Sequence, residues 1–175
     1  MRQSLRLHPD SICSAATRIE VEVAQPRPGS LLFAYAVTGK IRDLRLPPAM
    51  AARRADALWR HTCFEAFVRP SSGDAYYEFN FAPTKQWAAY RFNGYRGEMR
   101  VAAEISAPRI DVQSAPERYV LQAALDLSSL PRDAGYRLGL SAVIEETGGR
   151  LSYWALAHPP GKPDFHHADC FALEF

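Results

Sequence analysis

Hydrophobic and polar residues alternate with a period of two along most of this chain, which is the pattern of half-buried β-strands. The segment RIEVEV (18–23) alternates cleanly, and YYEFNFA (76–82) sets its phenylalanines against Glu78 and Asn80. The stretches that we predict to be strands are 18–23, 31–37, 64–68, 76–82, 86–92, 100–106, 109–114, 118–125, 136–146, 150–157 and 169–175. Turn-forming residues interrupt them roughly every eight to twelve positions, a spacing typical of an antiparallel sandwich or barrel.

Two segments depart from this strand pattern. PPAMAARRADALW (47–59) predicts one short helix, and LDLSSLP (125–131) predicts a single turn that ends at Pro131. We find no internal repeat and no linker in the sequence. The pattern therefore predicts one all-β domain over residues 1–175, an antiparallel β-sandwich with one short helix.

Composition narrows the class of protein. Hydrophobic residues make up 47% of the 175 residues, which is enough for a packed core. The net charge of +2 and the absence of a long basic run argue against nucleic acid as a partner. The three cysteines form no disulfide framework, and no stretch approaches the ~20 apolar residues of a membrane span. Because the N-terminus lacks an apolar signal-peptide core, we expect a cytoplasmic location.

The segment LWRHTCFEAF (58–67) raises the first question of function. In a strand, Thr62, Phe64, Ala66 and Val68 would share one face, and His61, Cys63, Glu65 and Phe67 would share the other. The second face carries a carboxylate and a thiol just after an indole. It is therefore either an ordinary solvated face or the floor of a site.

Tryptophans are the first candidates for ligand contact. Trp59 and Trp154 fall near strand ends, where side chains are better placed for binding than at strand centres, although a sandwich tryptophan is commonly core. Two indoles across a gap would hold a pyranose ring by its C–H groups, while hydrogen bonds would set specificity. The candidate polar partners are Glu65, Asn80, Gln86, Arg91 and Asn93.

The loop HPPGKPDFHH (158–167) contains three histidines. Imidazole is a common zinc ligand, so His158, His166 and His167 are the candidate metal ligands. Their spacing matches no closed zinc motif, and a loop closed by His and Asp hydrogen bonds and three prolines is the preferred explanation. We therefore predict no resident metal.

Catalytic motifs are absent from the sequence. Cys63 and His61 could form a nucleophile–base pair, but residues two apart on a strand face lie ~6–7 Å from each other. Glu65 with Asp74 or Glu78 would imitate the carboxylate pair of a glycosidase. Any β-protein with nineteen acids offers such pairs.

Three blocks resemble bacterial DOMON-like proteins, which are related to the family 9 carbohydrate-binding modules. They are LWRHTCFEAFVRP, YYEFNFAPTKQWAAYRFNGYR and YWALAHPPGKPDFHHADCFALEF, and the resemblance runs from about residue 18 to 175. It implies a β-sandwich of jelly-roll-like topology that clamps a sugar between two tryptophans. It places these on Trp59 and Trp154, the carboxylate on Glu65 and the arginine on Arg91. The family's acidic calcium loops have no convincing counterpart here.

The resemblance also leaves alternatives. DOMON domains include haem proteins with Met and His ligands, for which Met99 and His158, or another loop histidine, stand in suitable order. An enzyme using His61, Cys63 and Glu65, or an interaction module that pairs through a sheet edge, are further alternatives. Our primary hypothesis is a non-catalytic module that binds a saccharide or glycoside. Trp59 and Trp154 would stack on the ligand while Glu65, Asn80 and Arg91 bond to it.

Overall fold

The computed structural model describes residues 1–71, 73–130 and 135–175, of which about half lie in β-strands and few in helices. Every predicted strand has an observed counterpart, although those predicted at 100–106 and 169–175 shrink to two residues each. The strands are β1 Arg2–Leu7, β2 Ala16–Ala24, β3 Ser30–Gly39, β4 Arg53–Arg54, β5 Cys63–Pro70, β6 Tyr76–Phe81, β7 Gln86–Phe92, β8 Arg100–Val101, β9 Arg109–Ala115, β10 Arg118–Asp126, β11 Tyr136–Glu145, β12 Leu151–Ala155 and β13 Leu173–Glu174.

The strands form one continuous, curled sheet in the order β4-β7-β6-β5-β11-β12-β1-β2-β3-β10-β9, with β8 beside β7 and β13 beside β11. The all-β prediction is confirmed. The prediction of a wholly antiparallel sandwich is wrong in one respect, because β4 runs parallel to β7 and makes the sheet mixed. The jelly-roll-like topology stays a prediction.

The main core lies inside the curl, between its two halves. Strands β2, β3 and β10 contribute one wall, and β5, β6, β11 and β12 contribute the other. Aromatic rings join the walls, since Phe33 lies 6.5 Å from Phe81 and Tyr35 lies 5.2 Å from Phe64. The Tyr35 hydroxyl also donates a 2.6 Å hydrogen bond to the backbone carbonyl of Glu65. In β5 the side chains of Phe64, Ala66 and Val68 point into this core. The alternate residues of the strand therefore point away from it.

Strand β1 joins the two halves of the sheet, and the sequence did not predict it. Residues 2–5 pair with β2, whereas Arg6 and Leu7 pair with β12. Only Leu5 in this strand is fully buried, so its hydrophobic signal is weak. Its conformation follows from hydrogen bonding to strands on either side.

The helix predicted over 47–59 is wrong. The segment instead contains β4 and a short 3-10 helix, Leu58–Arg60. The Arg54 guanidinium lies 4.1 Å from the ring centre of Trp87 and donates to the carbonyls of Ala89, Ala102 and Ile105. These contacts hold the chain extended against β7, whereas the alanine-rich stretch before it offers a helix little apolar surface to bury.

The second predicted turn follows β10. The Leu130 backbone N–H donates to the Leu127 carbonyl at 2.9 Å, and Pro131 lies outside the described residues. Within the ranges given above, no helix has the length and apolar character needed to cross a bilayer.

Candidate functional site

A pocket of about 360 Å³ lies on the face of the sheet that is turned away from the main core. Five neighbouring strands each contribute one side chain to its floor. They are Phe92, Glu78, Glu65, Val143 and Tyr153, from β7, β6, β5, β11 and β12 in that order. The volume is within the usual range for small-molecule sites.

The two faces predicted for β5 are confirmed. Phe64, Ala66 and Val68 belong to the main core, while Cys63 and Phe67 belong to a smaller cluster on the pocket side. Glu65 shares their face but is only 2% exposed. An ordinary solvated face is therefore excluded, and Glu65 lies on the floor of the pocket.

Trp59 stands at the edge of this pocket, 38% exposed. It sits in the 3-10 helix that begins after Ala57, whose φ of 58° is unusual for a residue with a Cβ. The Tyr90 hydroxyl donates to Asp56 at 2.8 Å, and the Tyr90 ring lies 5.9 Å from the Trp59 ring at 72°. Strand β7 thus anchors the turn that presents the indole.

Two loops form the remaining wall, and Asp164 ties them together. The 93–99 loop contributes Arg96 and Met99, and the 156–167 loop contributes Pro163, Phe165 and His166. The Asp164 carboxylate accepts hydrogen bonds from Tyr95, from Arg96 at 2.8 Å and from the His166 backbone. Burial acts to raise the pKa of Asp164, but the hydrogen bonds from Tyr95 and Arg96 outweigh it and hold this pKa below its ordinary value.

His166 is held as a neutral imidazole. The Tyr76 hydroxyl accepts the Arg96 backbone N–H at 3.2 Å and shares a 2.7 Å hydrogen bond with His166 Nδ1. The other ring nitrogen, Nε2, lies 3.6 Å from Glu78 Oε2. Burial lowers the pKa of His166 to about 4.

The carboxyl groups of Glu65 and Glu78 form the polar part of the floor. Glu78 accepts a 2.7 Å hydrogen bond from Asn80, and Glu65 accepts a long one of 3.3 Å from Ser141. Burial raises the pKa of Glu78 to about 7, and burial together with the Glu78 charge raises that of Glu65 well above its ordinary value. Glu65 Oε1 has no hydrogen-bond partner among the described residues.

Solved structures share this fold at low sequence identity. One is a candidate carbohydrate-binding protein from Bacteroides uniformis, with a TM-score of 0.63 and 15% identity over 97% of this chain and 83% of that one. Another is a family 9 carbohydrate-binding module from Caldicellulosiruptor kristjanssonii in complex with cellotriose, with a TM-score of 0.54 and 11% identity over 92% of this chain and 74% of that one. The chain shares their fold. It matches no protein-family model and no curated protein.

Two of the predicted binding residues lie outside the pocket. Trp154 is 5% exposed, belongs to the main core and donates its indole N–H to Ser152 at 3.1 Å. Arg91 alternates with the core residues Trp87 and Ala89, so it lies on the core face of β7, with its guanidinium 5.8 Å from the Tyr77 ring centre. The expected tryptophan pair does not form, because strand alternation turns Trp154 inward.

Asn80 supports the pocket from beneath. Its side chain is fully buried, donates to Glu78 and accepts a 3.6 Å contact from the Cys63 thiol. Asn80 is not among the residues that line the cavity. The structure therefore places Asn80 behind the pocket wall. There it orients the Glu78 carboxyl group, which does line the cavity.

The three loop histidines are not brought together. His158 Nε2 lies 2.8 Å from the Arg6 carbonyl, His166 contacts Tyr76, and His167 Nδ1 accepts from the Asp169 backbone. Across the described ranges, no group of three or more His, Cys, Asp or Glu side chains has a geometry that could hold a metal ion.

The haem alternative would need Met99 and a histidine at one cavity. Met99 lines the pocket and is 57% exposed, whereas His158 does not line it. The ring of His158 packs instead against His8 at 4.8 Å. Met99 and His158 are therefore not brought together. Of the other two loop histidines, His166 lines the same pocket as Met99, but its Nδ1 atom is hydrogen-bonded to the Tyr76 hydroxyl.

The Cys63–His61 pair is also separated. His61 Nδ1 lies 2.7 Å from Glu145, while the Cys63 thiol is fully buried and points at Asn80. Burial, followed by the charges of Glu65 and Glu78, raises the pKa of Cys63 well above its ordinary value. A protonated, inaccessible thiol is a poor nucleophile.

We expect native-state alkylation to separate the three cysteines. Iodoacetamide should modify Cys63 and Cys170 at least about tenfold more slowly than the partly exposed Cys13, because buried thiols with raised pKa values react slowly. Peptide mass spectrometry at timed intervals measures the three rates, with urea-unfolded protein as the control. Fast labelling of Cys63 in the folded protein would restore the enzyme alternative.

Sequence reasoning missed much of the pocket wall. Arg96 follows a strong turn signal at 93–95, but its φ of 51° and its contact with Asp164 have no local signature. Tyr153 was overlooked beside the larger Trp154, although alternation requires the two to face opposite sides. Glu78 was considered only as one of many possible carboxylate partners, and it is the one that the fold places next to Glu65.

Proposed function

We propose that this chain is a non-catalytic module that binds a saccharide or glycoside in the pocket between Trp59, Glu65 and Tyr153. The observation that carries the proposal is one cavity that combines an exposed indole with a buried carboxyl oxygen for which the described residues provide no hydrogen-bond partner. The fold shared with carbohydrate-binding proteins supports it. A site of this size suits one or two sugar rings.

Stacking on aromatic surface would supply much of the affinity. The indole of Trp59 is held in place by Tyr90, so little side-chain entropy is lost when a ligand covers it. Tyr153 and Phe165, with ring centres 6.2 Å apart, provide further aromatic surface in the same cavity. Pyranose C–H groups can lie on such surfaces, each contact adding roughly 0.5–1.5 kcal/mol beyond area burial.

Hydrogen bonds would orient the ring. Glu65 Oε1 and the Glu78 carboxyl can accept from sugar hydroxyls, and Arg96 at the wall can donate. Charge-assisted hydrogen bonds of this kind are shorter and stronger than neutral ones. Asn80 and Ser141 would hold the two carboxyl groups in place at the floor of the cavity.

Trp59→Ala is expected to weaken binding of a responsive sugar by at least about tenfold, because it removes the exposed stacking surface. Calorimetric titration with glucose, cellobiose and cellotriose, and with their methyl glycosides, measures the affinity. Met50→Ala is the matched control, because Met50 is 47% exposed but does not line the pocket.

Tryptophan fluorescence gives an independent readout for the same variant series. Trp87 and Trp154 are each 5% exposed, so a ligand-dependent change should come from Trp59 and vanish in Trp59→Phe. Binding that is unchanged in Trp59→Ala would contradict the site. Release of free sugar from a glycoside, followed by NMR, would contradict the non-catalytic role.

A further inference from the structure

The floor of the pocket carries more acidic groups than a neutral sugar needs. Glu65 is 2% exposed and Glu78 is 5% exposed, and both line the same cavity. Their only hydrogen-bond donors among the described residues are Ser141 and Asn80, both neutral. Glu65 Oε1 has no donor at all from these residues. A buried carboxylate without a positive partner is costly, so a cationic group on the ligand would complete the site.

The basic residues of the pocket supply that charge only in part, since the Arg96 charge lowers the pKa of Glu78 but by less than burial raises it. Arg96 is paired with Asp164 at 2.8 Å, and Asp164 is also bonded to Tyr95. Burial lowers the pKa of His166 to about 4, so its imidazole carries no charge at neutral pH. Its Nε2 atom is 3.6 Å from Glu78, beyond good hydrogen-bonding distance. The two floor carboxyl groups therefore face the cavity without a bound cation of the protein.

The walls of the pocket also suit a cation. Trp59, Phe92, Tyr153 and Phe165 line the cavity around the two carboxyl groups. The faces of aromatic rings carry negative potential and attract an ammonium group within about 6 Å. An ammonium group has three N–H donors, which is enough to reach both carboxyl groups and one further acceptor.

We infer that the pocket selects a ligand with a protonated amine, in its simplest form an amino sugar whose ammonium group bonds to Glu65 and Glu78. This inference rests on the proposed function, since it assumes that the ring stacks on Trp59. It goes further by naming the charge of the ligand, which neither the fold nor the aromatic surface determines.

Proton release should accompany such binding. Because the pKa of Glu78 is raised to about 7 and that of Glu65 lies higher than usual, the pair retains protons near neutral pH when the pocket is empty. An arriving ammonium group favours the ionised pair, so a proton passes to the buffer. The charged or titratable groups packed around the pair are Tyr35, Cys63, Tyr76, Tyr90, Arg96, Asp164 and His166.

The test compares glucosamine with glucose and with N-acetylglucosamine, which keeps the substituent position but removes the charge. At pH 7 glucosamine should bind at least about tenfold more tightly than either neutral sugar, because charge-assisted hydrogen bonds replace neutral ones. The preference should increase from about pH 5 towards about pH 7 as the carboxyl pair ionises, and fall again as the amine loses its own proton at about pH 8. Calorimetry in buffers of different ionisation enthalpy counts the released protons.

Three variants sharpen the comparison. Glu65→Gln and Glu78→Gln should each reduce the preference for glucosamine to about threefold or less, since one charged acceptor is lost. Two separate variants keep the test valid if one of them fails to fold. Glu22→Gln, on an exposed part of β2, should leave the preference unchanged.

The outcomes separate the two proposals. The cation inference is overturned if neutral sugars bind as tightly as glucosamine. It is also overturned if both glutamine variants keep the preference for glucosamine. Either result leaves saccharide binding intact. Binding of ethanolamine with no sugar bound would support the cation site and contradict the saccharide function. No binding of any of these compounds would overturn both.

Discussion

Glu78→Gln is expected to raise the free energy of unfolding by about 3 kcal/mol at pH 8 and to leave it nearly unchanged at pH 4. Burial raises the pKa of Glu78 from 4.5 to about 7. The folded protein therefore holds this proton more tightly than the unfolded chain does. Stability from Glu78 is fully present below pH 4.5 and is lost as the pH rises through about 7.

Glutamine removes this loss because it is neutral at every pH. Its amide oxygen can keep the hydrogen bond from Asn80, and its amide N–H group can donate to Glu65. The substitution therefore imitates the protonated carboxyl group that the fold prefers. In the wild type, deprotonation of Glu78 in the unfolded chain begins to oppose folding above pH 4.5, and this cost is fully developed once the pH exceeds about 7.

The pH dependence of wild-type stability cannot be assigned to Glu78 by itself, because His166 also contributes to it. Burial lowers its pKa from 6.5 to about 4, so its contribution is present above pH 6.5 and is lost as the pH falls through about 4. This contribution has the opposite sign to that of Glu78 over nearly the same range. The informative quantity is therefore the difference between wild type and Glu78→Gln.

Urea unfolding followed by circular dichroism at intervals from pH 4 to pH 8 measures that difference. Glu22→Gln provides the matched control, because the exposed Glu22 side chain should show a difference that is small at every pH. A difference for Glu78→Gln that does not vary with pH would show that Glu78 titrates normally. The inference of an unpaired carboxyl floor would then lose its support.

Gly39→Ala is expected to lower the free energy of unfolding by at least about 3 kcal/mol, the largest loss expected from a single added methyl group in this chain. Gly39 ends β3 with a φ of 148°. A Cβ at this position would lie 2.0 Å from the backbone oxygen of Ala15 and 3.0 Å from the Cα of Ala16. The same Ala15 oxygen accepts a 2.8 Å hydrogen bond from Lys40, so β2 cannot shift without losing that contact.

Two other glycines separate steric overlap from backbone strain. Gly149 has a φ of 81° with open space around its Cβ position, so Gly149→Ala should cost about 1 kcal/mol. Gly148 also faces open space and has no such φ, so Gly148→Ala should change stability by less than about 0.5 kcal/mol. Urea midpoints of the three variants rank the effects. A Gly39→Ala loss no larger than that of Gly149→Ala would mean that β2 and β3 are packed less closely than the structure shows.

The carboxyl groups on the pocket floor affect stability and ligand binding in opposite directions. Buried carboxyl groups on the floor lower stability at neutral pH, yet they are the groups that would recognise a ligand. Proteins commonly retain such destabilising residues where function requires them. Glu78→Gln is thus expected to produce a more stable protein that binds its ligand less well, and the two measurements together would identify Glu78 as a functional residue.

Local alternation was enough to predict most of the strands and the two faces of β5. A strand that is buried on one or both faces shows its period in a few consecutive residues, and 64–68, 76–82 and 86–92 were found in this way. Strand β1 was missed because only Leu5 is fully buried in it. The 47–59 segment was misassigned because helix propensity reflects only neighbouring residues. Its β4 strand is held instead by a distant contact, that of Arg54 with Trp87 of β7.

Sequence by itself determined that this chain is an all-β protein and that Glu65 shares a strand face with Cys63 and Phe67. Tertiary structure alone decided which side chains meet at the cavity: Tyr153 and Arg96 line it, whereas Trp154 and Arg91 do not. The reason is that alternation specifies faces only within one strand. Which strands become neighbours, and which loops close over them, depends on hydrogen bonds and packing between residues far apart in the chain.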